Sequence, residues 1–62
     1  MNQTFTIYDQ EVAYEVTHRG LTIVAVKKLY FASPIVREIH FNNLPNEVQE
    51  QIIDRIKGDE DV

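Results

Sequence analysis

Cysteine is absent from this sequence of 62 residues, and glycine and proline occur only twice each. Without thiols, the chain forms neither disulfides nor zinc sites with thiolate ligands, which often stabilise small domains. Since Gly20 and Gly58 are its only glycines, it also lacks a glycine-rich loop that could bind phosphate groups. We therefore expect no cofactor and no metal.

Long hydrophobic runs are missing as well. The longest strongly apolar segment extends from Leu21 to Val26 and is interrupted by Thr22, so it is far too short to span a bilayer. The first residues show no basic segment followed by an apolar stretch, so we expect no signal peptide. We therefore expect no membrane contact and a cytoplasmic location, whose reducing conditions a chain without cysteine tolerates.

The length of the chain limits how much surface it can bury. A domain of this size buries only about 60% of the surface that its unfolded chain exposes, and it is marginally stable alone. Without disulfides or a metal, a dense core or self-association has to supply the stability. A homodimer is therefore an open alternative to a monomer.

The charge of the chain is distributed unevenly. The formal net charge is −4; residues 1–43 carry four acids and four bases, whereas residues 44–62 carry six acids and two bases. The whole excess of negative charge therefore lies in the last third, which should repel phosphate groups and anionic membranes. Nucleic acid is accordingly a disfavoured partner.

Two segments near the start alternate between apolar and polar residues, which is typical of half-buried strands. A turn at Asp9 and Gln10 would pair them as a hairpin with Ile7 opposite Val12. A slip of one residue would mix the two faces, so the agreement of both alternations supports this pairing. One face would then carry Phe5, Ile7, Val12, Tyr14 and Val16, and the other Thr4, Thr6, Glu11, Ala13 and Glu15.

A second turn at Arg19 and Gly20 leads into a segment rich in β-branched and aromatic residues. Continued alternation would direct Ala25 towards the core, and Val24 and Val26 towards the opposite face. A strand that is apolar on both sides is typical of a central strand covered twice. Val24 and Val26 therefore predict an apolar surface that requires a cover.

The last third of the chain predicts a helix. Residues 35–41 are consistent with a fourth strand of undetermined register, and Pro45 suits the first position of a helix. Val48, Ile52 and Ile56 recur every four residues and form a narrow apolar stripe. We expect the helix to end near Gly58, followed by an acidic, frayed tail at 59–62.

The predicted fold is α+β: an antiparallel β-meander of three or four strands, with one C-terminal helix packed on one face. Residues 1–58 form a single compact domain in this prediction. The predicted core comprises Phe5, Ile7, Val12, Tyr14, Val16, Ile23, Ala25, Val48, Ile52 and Ile56.

No group of residues indicates catalysis. His18 and His40 are expected to be surface or partly buried side chains, because neither has converging partners visible in the sequence. Ser33 lacks a base that could activate it, and the acidic tail lacks the glycine-turned ligand pattern of a calcium loop. We therefore expect that the protein is not an enzyme.

The favoured hypothesis is a small protein-binding module, such as a regulator or inhibitor that occupies a partner's surface. The partner would contact the exposed valines, Val24 and Val26, while the edges of a short sheet stay open to strand addition. The acidic helix positions Glu47, Glu50 and Asp54 offer a further contact surface. They also define one alternative, an acidic mimic of nucleic acid that binds a basic protein.

The other alternative is binding of single-stranded nucleic acid. Lys27, Lys28 and Tyr30 combine bases with an aromatic residue on a strand, and such sheets stack bases and hold phosphates. Against this alternative, the sequence pI of about 4.9 opposes general affinity for phosphate.

Overall fold

The computed structural model describes residues 1–60, and the side chains of residues 1–58. Its four strands form one antiparallel sheet in chain order, and a single helix follows them. This confirms the predicted α+β meander with four strands. The elements are β1 (Gln3–Asp9), β2 (Val12–Arg19), β3 (Thr22–Tyr30), β4 (Val36–Ile39), a 3₁₀ turn (Phe41–Asn43) and α1 (Asn46–Glu60).

The first hairpin differs from the predicted register by two residues. Its turn consists of Gln10 and Glu11, and Ile7 pairs with Tyr14 instead of Val12. Gln10 adopts a φ of 53°, a left-handed conformation that is uncommon for a residue other than glycine. Because side chains alternate with a period of two, a shift of two residues leaves both predicted faces intact.

The second hairpin contains a β-bulge. Its turn consists of Gly20 and Leu21, one residue later than predicted. Beyond the turn His18 pairs with Ile23, but Thr17 pairs with Ala25, so Val24 has no partner in β2. One strand therefore carries an extra residue, which inverts the alternation of β3 after the bulge.

The bulge overturns two predictions about β3. Val26 pairs with Val16, lies on the same side as the helix and is only 1% exposed. Ala25 lies on the opposite side of the sheet and is not part of the core. The predicted outward orientation of Val26 and the predicted core position of Ala25 are therefore both wrong.

The fourth strand is shorter than residues 35–41. β4 pairs with β3 only from Val26 to Leu29, and the chain then forms the 3₁₀ turn. Among the described residues, positions 22–25 of β3 therefore have no strand on the β4 side.

Hydrogen bonds at the first turn of α1 connect the helix to the segment that precedes it. The Gln49 backbone N–H donates to the Pro45 carbonyl at 3.0 Å, so Pro45 immediately precedes the helix. The Gln49 side-chain Nε2 donates to the carbonyls of Phe41 and Leu44, at 3.2 and 3.0 Å. These bonds satisfy carbonyl groups of the connection and fix the direction in which the helix leaves it.

The helix continues past the predicted end at Gly58 and extends to Glu60. Glycine tolerates helical dihedral angles as well as left-handed ones, so it does not by itself terminate a helix. Residues 59 and 60 of the predicted tail therefore belong to the helix, and 61–62 lie outside the described residues.

The core lies between α1 and one face of the sheet. The apolar stripe of the helix is buried there, as predicted, together with residues of the first three strands and Leu44. Arg55 places its guanidinium 5.2 Å from the centre of the Phe5 ring, so it covers the edge of this core. The buried cluster contains Phe5, Ile7, Tyr14, Val16, Val26, Leu44, Val48, Ile52 and Ile56; Val12, Ile23, Ile39 and Phe41 pack against it.

The substitution Ile52→Ala tests the placement of the helix. Ile52 is fully buried, so truncation should lower the free energy of unfolding by about 2–5 kcal/mol. The neighbouring Ile53 is 39% exposed, and Ile53→Ala should cost less, roughly 1 kcal/mol. Urea unfolding followed by circular dichroism measures both; equal losses for the two variants would show that the helix is oriented differently.

Candidate functional site

The sheet has one face that the helix does not cover, which we call the open face. Three rows of its side chains cross three or four strands, as the pairing of the strands defines, and Arg19 forms a shorter fourth row with Thr22. The apolar row comprises Tyr8, Ala13, Leu29 and Val36; the charged row comprises Thr6, Glu15, Lys27 and Glu38; and the small row comprises Thr4, Thr17 and Ala25.

The apolar row extends over all four strands. Tyr8 is 72% exposed, and its ring stacks on Phe31 with centroids 6.2 Å apart and an interplanar angle of 24°. Phe31 is itself 61% exposed, and Val36 at the other edge is also largely exposed. Ala13 lies between these large side chains and is buried. The row therefore places an apolar side chain on every strand, and Phe31 adds a second exposed aromatic ring beside Tyr8.

The charged row lies next to the apolar row and alternates in sign. Lys27 stands between Glu15 on β2 and Glu38 on β4, each its direct cross-strand neighbour. Opposite charges at such positions favour the pairing of the strands modestly. In the small row, the hydroxyls of Thr4 and Thr17 lie 3.3 Å apart. The open face thus has an apolar side, a charged middle and a small polar side.

The sequence analysis did not identify the members of the apolar row as a site. Alternation from Phe5 and Ile7 places Tyr8 on the other face, which is the signal that could have found it. Leu29 and Phe31 could not be assigned, because the bulge at Val24 changes the side to which β3 directs each residue.

The two valines predicted to bind a partner are separated. Val26 is buried in the core and is not accessible, whereas Val24 is 53% exposed at the bulge. Val24 lines a groove with Leu21 and Phe41, beside the part of β3 that β4 does not reach. Only Val24 therefore keeps the exposure that the hypothesis required.

The predicted basic and aromatic site is also divided. Lys28 and Tyr30 share the side of the sheet that faces the helix, and the Lys28 ammonium lies 5.2 Å from the centre of the Tyr30 ring. Lys27 lies on the open face instead, so the three residues do not form one surface. Arg37 is the cross-strand neighbour of Lys28 and lies near Tyr30. It therefore replaces Lys27 as the second base of this group.

The three acids of the helix stay together. Glu47, Glu50 and Asp54 are all exposed, and their spacing of three and four residues places them along one side of α1. That side points away from the buried stripe, so the acids form a narrow solvated surface.

The two histidines differ sharply in environment. His18 is only 1% exposed, and its Nδ1 donates to the Gly20 carbonyl at 2.9 Å, while its Nε2 is buried without a hydrogen-bond partner among the described residues. Its ring packs edge-on against Phe5. The prediction of a surface or partly buried His18 is therefore wrong; the bond to the Gly20 turn draws the ring inward. His40 is exposed, and its Nδ1 accepts from the Asn42 N–H at 3.4 Å.

The described residues bring no three metal-ligating side chains together. Within them, α1 is neither long enough nor apolar enough to cross a membrane. No protein-family model, no curated protein and no solved structure matches this chain. Its function is therefore inferred from its own surfaces.

Replacing each histidine with alanine distinguishes the structural role of His18 from an exposed side chain. His18→Ala removes a buried ring and its hydrogen bond, so it should lower the free energy of unfolding by about 2–4 kcal/mol. His40→Ala should change it by roughly 0.5 kcal/mol or less. Thermal unfolding measures both; a stable His18→Ala variant would contradict the buried position.

Proposed function

We propose that this chain is a small, non-catalytic protein-binding module that contacts its partner through the open face. The observation that carries this proposal is the apolar row on the side of the sheet without a helix. Tyr8 and Val36 are exposed at its two ends, and Tyr8 stacks on exposed Phe31. Small proteins seldom leave such contiguous apolar surface unused.

The composition of the open face supports protein as the partner. Aromatic residues are enriched at protein interfaces, where tyrosine and phenylalanine contribute large apolar contact areas at low entropic cost. The charged row borders this apolar surface and supplies polar contacts at its rim. A partner with an apolar centre and charges of both signs beside it would complement this face.

The proposal includes a role as a regulator or inhibitor, because a domain that covers a partner's surface can block other contacts there. It also places the protein in the cytoplasm. None of the surfaces used by the proposal depends on a cofactor or a metal.

A second candidate is binding of single-stranded nucleic acid, now through Lys28, Tyr30 and Arg37. Two like charges as direct cross-strand neighbours are unfavourable, and an anion between them would relieve the repulsion. Tyr30 beside them could stack on a base. The excess of acids on α1 opposes this candidate.

A third candidate is the acidic mimic, in which Glu47, Glu50 and Asp54 bind a basic protein. The exposed acidic side of α1 supports it. Its contact would be electrostatic, so added salt should weaken it, whereas contact through the apolar row should largely resist salt.

Three double variants distinguish the surfaces in a nuclease-treated pull-down from a lysate of the source organism. Tyr8→Ser with Phe31→Ser removes the aromatic pair, and should weaken capture of the specific partner tenfold or more, since aromatic anchors are often worth about 2 kcal/mol each. Two double variants are the matched controls: one combines Lys28→Gln with Arg37→Gln, and the other combines Glu47→Gln with Glu50→Gln. Both should retain capture of the partner. Retention by the aromatic variant together with loss in a control would overturn the proposal.

Salt dependence tests the second candidate separately. Our proposal predicts no binding of a labelled single-stranded oligonucleotide at about 0.15 M salt, measured by fluorescence anisotropy. The nucleic-acid candidate predicts binding whose logarithmic salt slope falls by about 1.4 in Lys28→Gln with Arg37→Gln, at roughly 0.7 for each lost phosphate contact.

A further inference from the structure

The open face is complementary to itself across the seam between β2 and β3. In the charged row, acidic Glu15 on β2 stands beside basic Lys27 on β3. In the apolar row, small Ala13 on β2 stands beside large Leu29 on β3. A rotation that exchanges β2 and β3 would therefore bring unlike charges and unlike sizes together.

We propose that two copies of this chain pack their open faces together as a symmetric dimer. The two-fold axis runs parallel to the strands along the seam, so that β2 of one copy lies over β3 of the other. This inference rests on the proposed function, because it names a second copy as the protein that occupies the same face.

The charged row supplies the specificity of this dimer. Glu15 meets the partner's Lys27, and the two-fold axis repeats the contact in the opposite sense, as in any isologous interface. Packed sheets lie about 10 Å apart with their strands aligned within roughly 30°, so residues next to the axis stay close to register. Glu15 and Lys27 flank the axis and therefore tolerate this twist.

The apolar row supplies the buried contact. Ala13 is buried between larger side chains of its own chain, so the partner's Leu29 packs on the surface above it, and this contact also occurs twice. Further from the axis, exposed Tyr8 approaches the partner's Val36. In the small row, Thr17 meets the partner's Ala25, so the sheets can approach closely there. The resulting dimer has two sheets inside and a helix on each outer side, a regular layered arrangement.

A charge-exchange experiment tests this geometry with the full chain. In a dimer of the Glu15→Lys variant, the lysine at position 15 would face the partner's Lys27 at both contacts. In a dimer of the Lys27→Glu variant, Glu15 would face the glutamate at the partner's position 27 at both contacts. Sedimentation equilibrium should show dimers for the wild type and self-association at least tenfold weaker for each variant, because facing like charges are costly. An equimolar mixture of the two variants pairs lysine with glutamate at both contacts, and should form a one-to-one dimer.

The mixture also controls for effects inside each chain. Glu15 and Lys27 are neighbours within one sheet, so each variant carries like charges side by side whether alone or mixed. Recovery of association in the mixture therefore reports on contacts between chains. Glu38→Lys makes the same change in net charge in the same row, but position 38 faces the partner's Thr6, so this variant should dimerise like the wild type.

Circular dichroism of each variant verifies folding, and Val36→Asp at the exposed edge gives a second route if a charged-row variant unfolds. It should also weaken the dimer at least tenfold. A wild type that is monomeric at all concentrations, or variants that each associate as the wild type does, would overturn the dimer. If the wild type is monomeric but still captures other proteins through Tyr8 and Phe31, the proposed binding function stands without self-association. If neither association nor capture depends on the open face, both proposals fail.

Discussion

One helix has to bury the apolar side chains of a four-stranded sheet, and it can cover only one side. A stripe of three residues, Val48, Ile52 and Ile56, faces the sheet and closes the core. No described residue covers the other side, yet it carries large apolar groups at one end. The accessible apolar surface therefore follows from the packing of a single helix on a single face of the sheet.

The bulge at Val24 determines which residues of β3 reach each side. Before it Ile23 faces the helix, and after it Val26 does, so both contribute to one core despite their odd separation. The same inversion places Leu29 and Lys27 on the open face. The unpaired Val24 thus determines which residues of β3 enter the core and which enter the open-face rows from which we infer binding.

The sequence was sufficient for the class of fold and for the first two strands, because strict alternation survives a register error of two residues. It was insufficient for β3, where Ile23, Val24, Ala25 and Val26 are all apolar and give no signal for the position of a bulge. The predicted binding sites on β3 are wrong for the same reason. The sequence pattern assigns Val26 to the surface and assigns Lys27 and Lys28 to one surface, whereas Val26 is buried and the two lysines lie on opposite faces. The open-face rows depend on pairing across strands, which a linear pattern does not contain.

Burial of His18 shows a similar limit. Histidine beside a glycine turn is ordinarily expected at the surface, and nothing in the composition of the segment contradicts that expectation. The ring is buried because a carbonyl two residues later accepts from its Nδ1 and because Phe5 on the neighbouring strand packs against it in an edge-to-face arrangement. Both conditions are tertiary, so they become visible only when β1 and β2 are paired.

Isotope-filtered nuclear Overhauser spectroscopy on a mixture of labelled and unlabelled chains tests most directly which surface binds a second copy. It detects only contacts between different molecules. The account predicts cross-peaks between the ring protons of Tyr8, which is exposed on β1, and the methyl groups of the partner's Val36, which is exposed on β4. Intermolecular cross-peaks confined to α1 or to the free edge of β1, with none from the open face, would contradict it.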